Sequence, residues 1–559
     1  MFVTTTRKKY KDTYHEQVLL RESYREDGKV KSRTLLNLTN KPKEQIIAIA
    51  QALKSKNKDD DTVRTKDQEQ GRTIGFSLIV YFIMNLLGIT KALGKSFEAK
   101  IAMLLISARI IIQSSRLQAL YWSREDAVLD VLDFSKEESE KLNNKNIYLG
   151  LDYLYNNKEK IEQKLFKSYY KDKSPKRFYY DVTSSYVEGD YSDSELVKYG
   201  YNRDKKSGKA QIVMGLLTDE DGHAVSIDTY PGNTNDVKTF ADQLDRLKNR
   251  FKLDGITIVG DGGMIKSEDI ATIKELGYDY ITSIGKPSIK KLINDKDSKL
   301  EMSLFDEELQ EVIDESSSTR YIVRCNPIRK EEIRATRESK ISRLKAFTTE
   351  KQGYYNTHYK AKAETMTRNI EKKISNLKLK SFVSYEVTYT DGTCEVKQAN
   401  KIIDKNKSIA TITIMIDEEE KSKVEELDGC YVVKTSLLDT NKDTKEDIHS
   451  AYKTLIKVEN AFKMLKTEYL ELRPLYLRTD SRIIGHTVVS MLAYNIVLKL
   501  RGYIALSNLD FKSTIREIST IKSTINRINS AISIEYIPTV KKELKELFKI
   551  MNFKLPAKV

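Results

Sequence analysis

Residues 177–187 read RFYYDVTSSYV, a run of aromatic and β-branched residues with a single acid, Asp181, near its middle. That composition favours an extended strand. A carboxylate inside such a strand is costly unless a partner or a cation compensates it. The ordinary alternative is a strand-end Asp that accepts from nearby backbone. Two further strand-like runs follow, QIVMGLLT (211–218) and AVSIDTY (224–230), then a helical stretch from Asp236. Next come GITIVGDGG (255–263), a helix from Ser267 and YDYITSI (278–284). The order is β-β-β-α-β-α-β. A three-strand meander followed by alternating helix and strand predicts a mixed sheet covered by helices, the order of ribonuclease-H-like folds and also of other α/β folds.

Asp261 ends the GITIVG run and precedes Gly262 and Gly263. It therefore sits at the carboxyl end of a buried strand, where α/β sheets build their sites, beside glycines that let a ligand approach the backbone. Asp-Gly-Gly is equally good turn chemistry. Farther on, AYKTLIKVENAFKMLKTEYL (451–470) reads as one helix. Its Tyr452, Leu455, Glu459, Phe462 and Lys466 fall on a single face at heptad-like spacing. Glu459 and Lys466 thus place charge on an apolar stripe, which suggests pairing or metal binding; an exposed helix edge is the plainer reading.

Three acids from two strands and a helix suit phosphodiester chemistry. Two divalent ions bridged by carboxylates activate the attacking oxygen and stabilise the leaving one. Hard Mg2+, or Mn2+, prefers such oxygen donors. The histidines, 5 in all, are scattered, and the 3 cysteines have no CxxC spacing, so a zinc site has no support.

The chain has 559 residues, a formal charge of +15 and 32% charged residues, which fits a soluble multidomain protein with a field that attracts polyanions. Cysteine usage and a charged amino terminus point to a reducing cytoplasm, without export. The uncharged stretch from Thr73 to Thr90 approaches the length of a membrane span, but Gly75, Ser77, Asn85 and Gly88 dilute it, and a buried core helix explains it better. Residues 14–38 predict a β-hairpin turning at Asp27-Gly28. Residues 54–72 read as a linker or exposed turn, and 73–170 as all-helical. Residues 501–559 hold eleven basic against five acidic side chains in helical or turn-rich sequence.

Four blocks then carry a resemblance. DVTSSY around Asp181, PGNTND (231–236), VGDGGM around Asp261, and the helix with Tyr452, Glu459 and Lys466, followed by LRPLYLRTDSRIIGHTVVSMLAYNI (472–496), resemble the DDE transposases of bacterial insertion sequences whose last acid lies in a Y-x2-R-x3-E-x6-K helix. The likeness covers residues 177 to about 500, and the opening hairpin also looks like the family's amino terminus. It implies a catalytic, metal-holding triad of Asp181, Asp261 and Glu459 with two ions, Mg2+ or Mn2+, on a ribonuclease-H-like core. That core is interrupted by a largely β insertion and flanked by a small amino-terminal β-hairpin unit and helical modules.

The expected division is a DNA-binding hairpin unit (1–55), a linker and helical domain (56–172), the first part of the core (173–286), the insertion (287–427), the second part with the catalytic helix (428–500) and a basic region for oligomerisation (501–559). Tyr452 and Lys466 would contact DNA phosphates. The motif's arginine position holds Leu455, which cannot bind phosphate, so that role passes to Lys453 or Lys457 and puts a hairpin intermediate in doubt. The implied activity is cleavage at inverted-repeat ends and joining of the 3'-hydroxyls to target DNA, by a homodimer or higher oligomer on double-stranded DNA, nucleoid-associated and without membrane. A metal-dependent nuclease that does not join strands, and a non-catalytic DNA-binding relic, are the competing readings.

Overall fold

The computed structural model describes residues 1–10, 13–26, 28–54, 68–171, 175–189, 191–201, 203, 208–296, 298–398, 401–468, 470, 472–529 and 532–556. Asp27 of the hairpin turn and most of the linker, 55–67, lie outside them. The strands in chain order are β1 (Phe2–Tyr10), β2 (Thr13–Glu26), β3 (Lys29–Asn37), β4 (Gln68–Thr73), β5 (Arg177–Tyr186), β6 (Gln211–Asp219), β7 (Ala224–Pro231), β8 (Thr257–Val259), β9 (Asp279–Ile284), β10 (Gln310–Asp314), β11 (Thr319–Cys325), β12 (Val383–Gln398), β13 (Lys401–Ile416), β14 (Cys430–Thr435), β15 (Lys522–Asn529) and β16 (Ile532–Tyr536). The fold is mixed α/β with a large mixed sheet. The chain divides into two compact units, Met1–Ile258 with Lys266–Tyr278 and Thr454–Val559, and Val259–Ile265 with Asp279–Lys453.

In the first unit, β1, β2 and β3 form an antiparallel sheet in that order. Leu20, Leu35 and Leu38 bury themselves with Ile49 of the helix Lys43–Lys54, which gives this small module its own core. The expected hairpin is present as β2 and β3, with β1 added on the other edge of β2.

The helical expectation for 73–170 also holds, with Gly75–Leu86, Phe97–Ile111 and Leu149–Tyr169 as its main helices. A helix from far along the chain, Asp480–Leu506, packs among them. It approaches so closely at Gly485 that an added Cβ would lie 2.3 Å from the Leu151 carbonyl oxygen. Among the described residues it is the one helix long and apolar enough to cross a membrane, yet 78% of its apolar window is buried inside this unit, as in a core helix. The stretch weighed in the sequence, Thr73 to Thr90, contributes the 12-residue helix Gly75–Leu86.

Two expectations are corrected here. Residues 68–72, read as linker or exposed turn, form β4 together with Thr73, and β4 pairs antiparallel with β15. The region 501–559, read as helical or turn-rich, contributes β15 and β16, so the order is β16-β15-β4. The polar β4 sequence QEQGRT lacks the apolar alternation that marks a strand, and its strand conformation comes from pairing with β15.

The sheet strands of this unit run β8-β5-β6-β7, and β5, β6 and β7 form the predicted antiparallel meander. Every residue of β6 is buried, in keeping with the apolar run from Ile212 to Leu217 at its centre. The helix Asp480–Leu506 lies along β7: Asn495 accepts from the Ala224 N–H at 2.8 Å and donates to its carbonyl at 2.9 Å. A buried ionic network ties the Leu149–Tyr169 helix to β7. Lys158 meets Asp228 at 2.6 Å and Glu162 at 3.2 Å, while Arg250 reaches Glu162 and Glu159, both at 2.6 Å.

In the second unit the strands run β10-β11-β14-β9, with β11 antiparallel to both neighbours. The expected insertion, 287–427, is corrected in character. It carries the 31-residue helix Pro327–Thr357 and the helix Ala363–Leu377 as well as the ribbon β12-β13. Ile341 and Leu344 of the first helix, Ile370 of the second and Ala410 of the ribbon share one core. The segment is therefore mixed and not largely β. Asn326 starts the long helix by accepting from the Arg329 N–H at 3.1 Å, with proline in the first turn where a missing donor costs nothing.

Candidate functional site

Strand β5 is covered on both faces, and its alternation sorts its residues between the two covers. Tyr180 faces the helix Asp236–Asn249, where its hydroxyl donates to the Thr239 carbonyl at 3.3 Å and its ring packs against Phe240. Tyr179 faces the other way and hydrogen-bonds Thr454; burial pushes its hydroxyl up to about 12. Asp181 is two residues on from Tyr179 and so stands on that same face. It is half-buried, and its Oδ1 accepts from the Val182 N–H at 2.7 Å. Across the ladder it is opposite Leu216 of β6.

Thr454 immediately precedes the helix Leu455–Lys463, which packs on β5 and carries Glu459. Val458, Ala461 and Phe462 form its buried side, and Glu459 is exposed. The single apolar stripe expected from Tyr452 to Lys466 is therefore not present. The helix is interrupted at Thr454, separating Lys445–Lys453 from Leu455–Lys463, and it ends in a π-helical turn, Met464–Glu468. A π turn widens the repeat and shifts every later side chain around the axis. Lys466 is accordingly buried, at 8% exposure, while Glu459 is not.

The two lysines put forward in place of the missing arginine are both exposed. Lys457 donates to the Glu220 carbonyl at 2.6 Å, which fastens this helix to the turn between β6 and β7. Lys453 and Tyr452 end the preceding helix, Lys445–Lys453, in the second unit. In that helix His449 is buried, bonded to and stacked on Tyr431. Burial, reinforced by the Lys453 and Arg324 charges, brings it down to about 4.

Asp261, in the second unit, is exposed just past the end of β8. Its Oδ1 accepts from the Gly263 N–H at 3.0 Å and the Met264 N–H at 2.8 Å, so the carboxylate is held by the turn it begins. Gly262 is required by close approach: an added Cβ would sit 2.4 Å from the Ser283 carbonyl oxygen. The paired glycines thus serve the turn chemistry as well as leaving the acid open.

Sequence reasoning passed over Asp219, Asp221 and His223, whose ligand atoms lie within 4.8 Å of one another, close enough to share an ion. The signal was the Asp-rich turn TDEDGH between β6 and β7. Asp219 already uses both oxygens there. Oδ1 accepts from the Asp221 and His223 N–H groups, each at 2.9 Å, and Oδ2 accepts from the Tyr170 hydroxyl at 2.7 Å. Burial opposes its charge, but the His223 and Tyr170 bonds prevail and hold it below the usual carboxylate range. This group is a locked turn.

Comparison with known proteins fixes the class. A family model described as a transposase DDE domain matches residues 173–496, more than half of the chain, so the protein is a DDE transposase. A second model, the amino-terminal domain of IS1634 family transposases, matches residues 3–69, and the chain thereby belongs to the bacterial insertion-sequence members of that family. Membership carries transposase activity and the use of divalent cations with it. A search of curated proteins returns no match. Solved structures with partial similarity include a piggyBac transposase synaptic complex with hairpin DNA (11% identity, TM-score 0.35, 92% of this chain and 82% of that one). A Mos1 transposase paired-end complex with the left transposon end is another (13% identity, TM-score 0.14, 30% of this chain and 58% of that one).

Proposed function

We propose that this transposase cleaves phosphodiester bonds at the inverted-repeat ends of its insertion sequence and joins the freed 3'-hydroxyls to target DNA, with Asp181, Asp261 and Glu459 as catalytic and metal-holding residues on a ribonuclease-H-like core. The observation that carries the reading is the packing of the Glu459 helix on the face of β5 that bears Asp181. The helix that carries one acid and the strand that carries another are in contact although far apart in the sequence, which supports the reading. The meander β5-β6-β7 followed by helix and β8 supports the core assignment.

The donors fit hard divalent ions. All are carboxylate oxygens, and Asp181 and Asp261 are each oriented by adjacent main-chain N–H groups, so little side-chain freedom is lost on binding. Two Mg2+ or Mn2+ ions, when held, supply activation of the attacking oxygen and stabilisation of the leaving one. The chain's own part is positioning: Thr454 and Lys457 fix the Glu459 helix, and the Asp-Gly-Gly turn aims Asp261. Tyr452, Lys453 and Lys457 are assigned to DNA phosphates, and the active form to a homodimer or higher oligomer on double-stranded DNA; Lys466, buried at 8% exposure, does not reach that contact.

Purified chain incubated with end DNA and Mg2+ should nick and then release the ends, and chelation should stop it. D181N, D261N and E459Q should each cut the rate by more than about a hundredfold, beyond what outer-shell partners of a metal cost, while retaining DNA binding. Cleavage undiminished in E459Q removes the site assignment. A pre-cleaved end offered with a plasmid target separates the alternatives: joined products exclude a nuclease that only cuts, and a chain that binds without cutting is the relic.

A further inference from the structure

A pair of thiols stands where the helices Pro327–Thr357 and Ala363–Leu377 and the ribbon β12-β13 branch from the second unit's sheet. β11 ends on Cys325, two residues before the long helix, and β14 begins on Cys430, where the chain returns. In the antiparallel ladder the two cysteines are directly opposite each other. The Cys325 N–H donates to the Asp306 carbonyl at 2.7 Å and the Cys430 N–H to the Leu427 carbonyl at 3.3 Å, so neither main chain donates to the other. The ladder bond here belongs to the adjacent pair, from the Asn326 N–H to the Gly429 carbonyl at 2.9 Å. Cys325 and Cys430 are thus a non-hydrogen-bonded pair, the closer of the two antiparallel kinds, at about 4.5 Å between Cα atoms. That lies within the span of about 4.4–6.8 Å that a disulfide bridges.

The side chains meet as well. Both sulfurs lie at hydrogen-bond distance from the Asp428 carbonyl oxygen, Cys325 at 3.6 Å and Cys430 at 3.7 Å, and the two thiols bond each other. Their surroundings hold them there. The buried Asp428 carboxylate takes Arg337 of the long helix at 2.5 Å and Lys286 at 2.9 Å. Gly429, at φ 75°, comes so near that an added Cβ would lie 2.5 Å from the Asn326 carbonyl oxygen. Burial, and then the adjacent Cys325, push the Cys430 thiol up to about 12 against the Lys330 and Lys286 charges, so Cys430 keeps its proton and the attacking sulfur is Cys325. Both residues are partly exposed, within reach of a small oxidant. The third cysteine, Cys394, is buried and donates to the Thr357 carbonyl at the other end of the long helix.

We propose that Cys325 and Cys430 are a redox pair that a peroxide converts into a cross-strand disulfide, pinning the helix-and-ribbon module to the sheet at its neck. With hydrogen peroxide, the Cys325 sulfur attacks one oxygen, the O–O bond breaks, and one water leaves as Cys325 becomes a sulfenic acid. The Cys430 sulfur then displaces that hydroxyl, the S–S bond forms, and the hydroxyl departs with the Cys430 proton as a second water. Two thiols are oxidised by two electrons in all, and one peroxide is reduced to two waters. A thiol reductant reverses the bond by exchange. The bond also closes a long loop, residues 326–429, which restrains the unfolded module and makes the oxidised form harder to melt.

The test treats the full chain, with its 3 cysteines, with hydrogen peroxide at neutral pH and then denatures it for thiol titration. Free thiols should fall from three to one, a peptide holding Cys325 should be joined to one holding Cys430, and dithiothreitol should restore all three. The melting temperature of the oxidised chain should rise by roughly 5 °C and return on reduction. C430S should instead accumulate a sulfenic acid that dimedone traps, C325S should not, and C394S should cross-link like the parent. Three thiols kept, a link through Cys394 or between two chains, or over-oxidation without any link each overturns the pair. A bond from Cys325 to Cys430 that lowers the melting temperature overturns the pre-set geometry, because the strands then had to move to form it. The measurements on the parent chain decide the matter even should a serine variant fail to fold.

Discussion

Tyr179 hydrogen-bonds Thr454, the residue on which the Glu459 helix begins, and Tyr179 shares its face of β5 with Asp181. That contact joins the strand that carries Asp181 to the start of the helix that carries Glu459. Y179F should cost about 1 kcal/mol of stability, the usual worth of one such bond. It should also slow end cleavage roughly ten- to a hundredfold through misplacement of Glu459, with end-DNA affinity kept. Single-turnover cleavage beside urea unfolding checks this; a destabilised variant with an unaltered cleavage rate makes the contact merely structural.

His449 gives the second unit a pH dependence of known sign. The unfolded chain takes up its proton near 6.5, whereas the folded chain resists until about 4 because burial and the Lys453 and Arg324 charges oppose it. Between these values the unfolded state holds more protons, so stability falls as pH drops from about 6.5 towards 4. H449Q, which does not titrate, should flatten that part of the melting-temperature profile. An equally steep decline in the variant assigns the effect to other groups.

Gly262 has no room for a side chain, since the obstructing atom is a main-chain oxygen that cannot rotate away. G262A should destabilise by about 1–3 kcal/mol, the range for overpacking, and lower cleavage by displacing the Asp261 turn. A parental denaturation midpoint in G262A shows that the turn has slack.

The network around Glu162 should be sensitive to loss of one partner. Glu162 is fully buried, and R250M would leave it Lys158 as ion-pair partner together with the Ser226 hydroxyl at 3.2 Å, at a cost of about 3 kcal/mol, the lower end for a broken buried pair. The double variant R250M/E162M should recover most of that loss, because no uncompensated charge remains. Additive losses in denaturant titration contradict this account.

What the sequence made legible follows from the range of the forces involved. The meander and its alternation of strand and helix could be read because RFYYDVTSSYV, QIVMGLLT and YDYITSI carry their burial in their own composition. Asp181 and Asp261 could be singled out as charges in or beside such runs. The face of Glu459 could not, because a heptad count assumes an unbroken α-helix, and neither the interruption at Thr454 nor the π turn after Lys463 has a local signature here. The family likeness weighed residues 287–427 toward strand, whereas the helices Pro327–Thr357 and Ala363–Leu377 share their core with the ribbon β12-β13. QEQGRT gave no hint of β4, whose strand character is conferred by a partner more than four hundred residues away.

That pairing has a consequence for how the molecule is made. Lys522 donates to Gln70 across the β4-β15 ladder, so a strand synthesised early stays bare until the last part of the chain has left the ribosome. Copies of the gene shortened near their 3' end would lose more than a tail. They would expose an unsatisfied edge beside the helical module, and such edges recruit other chains. Truncated products should therefore be cleared or aggregate instead of persisting as soluble competitors of the full-length enzyme.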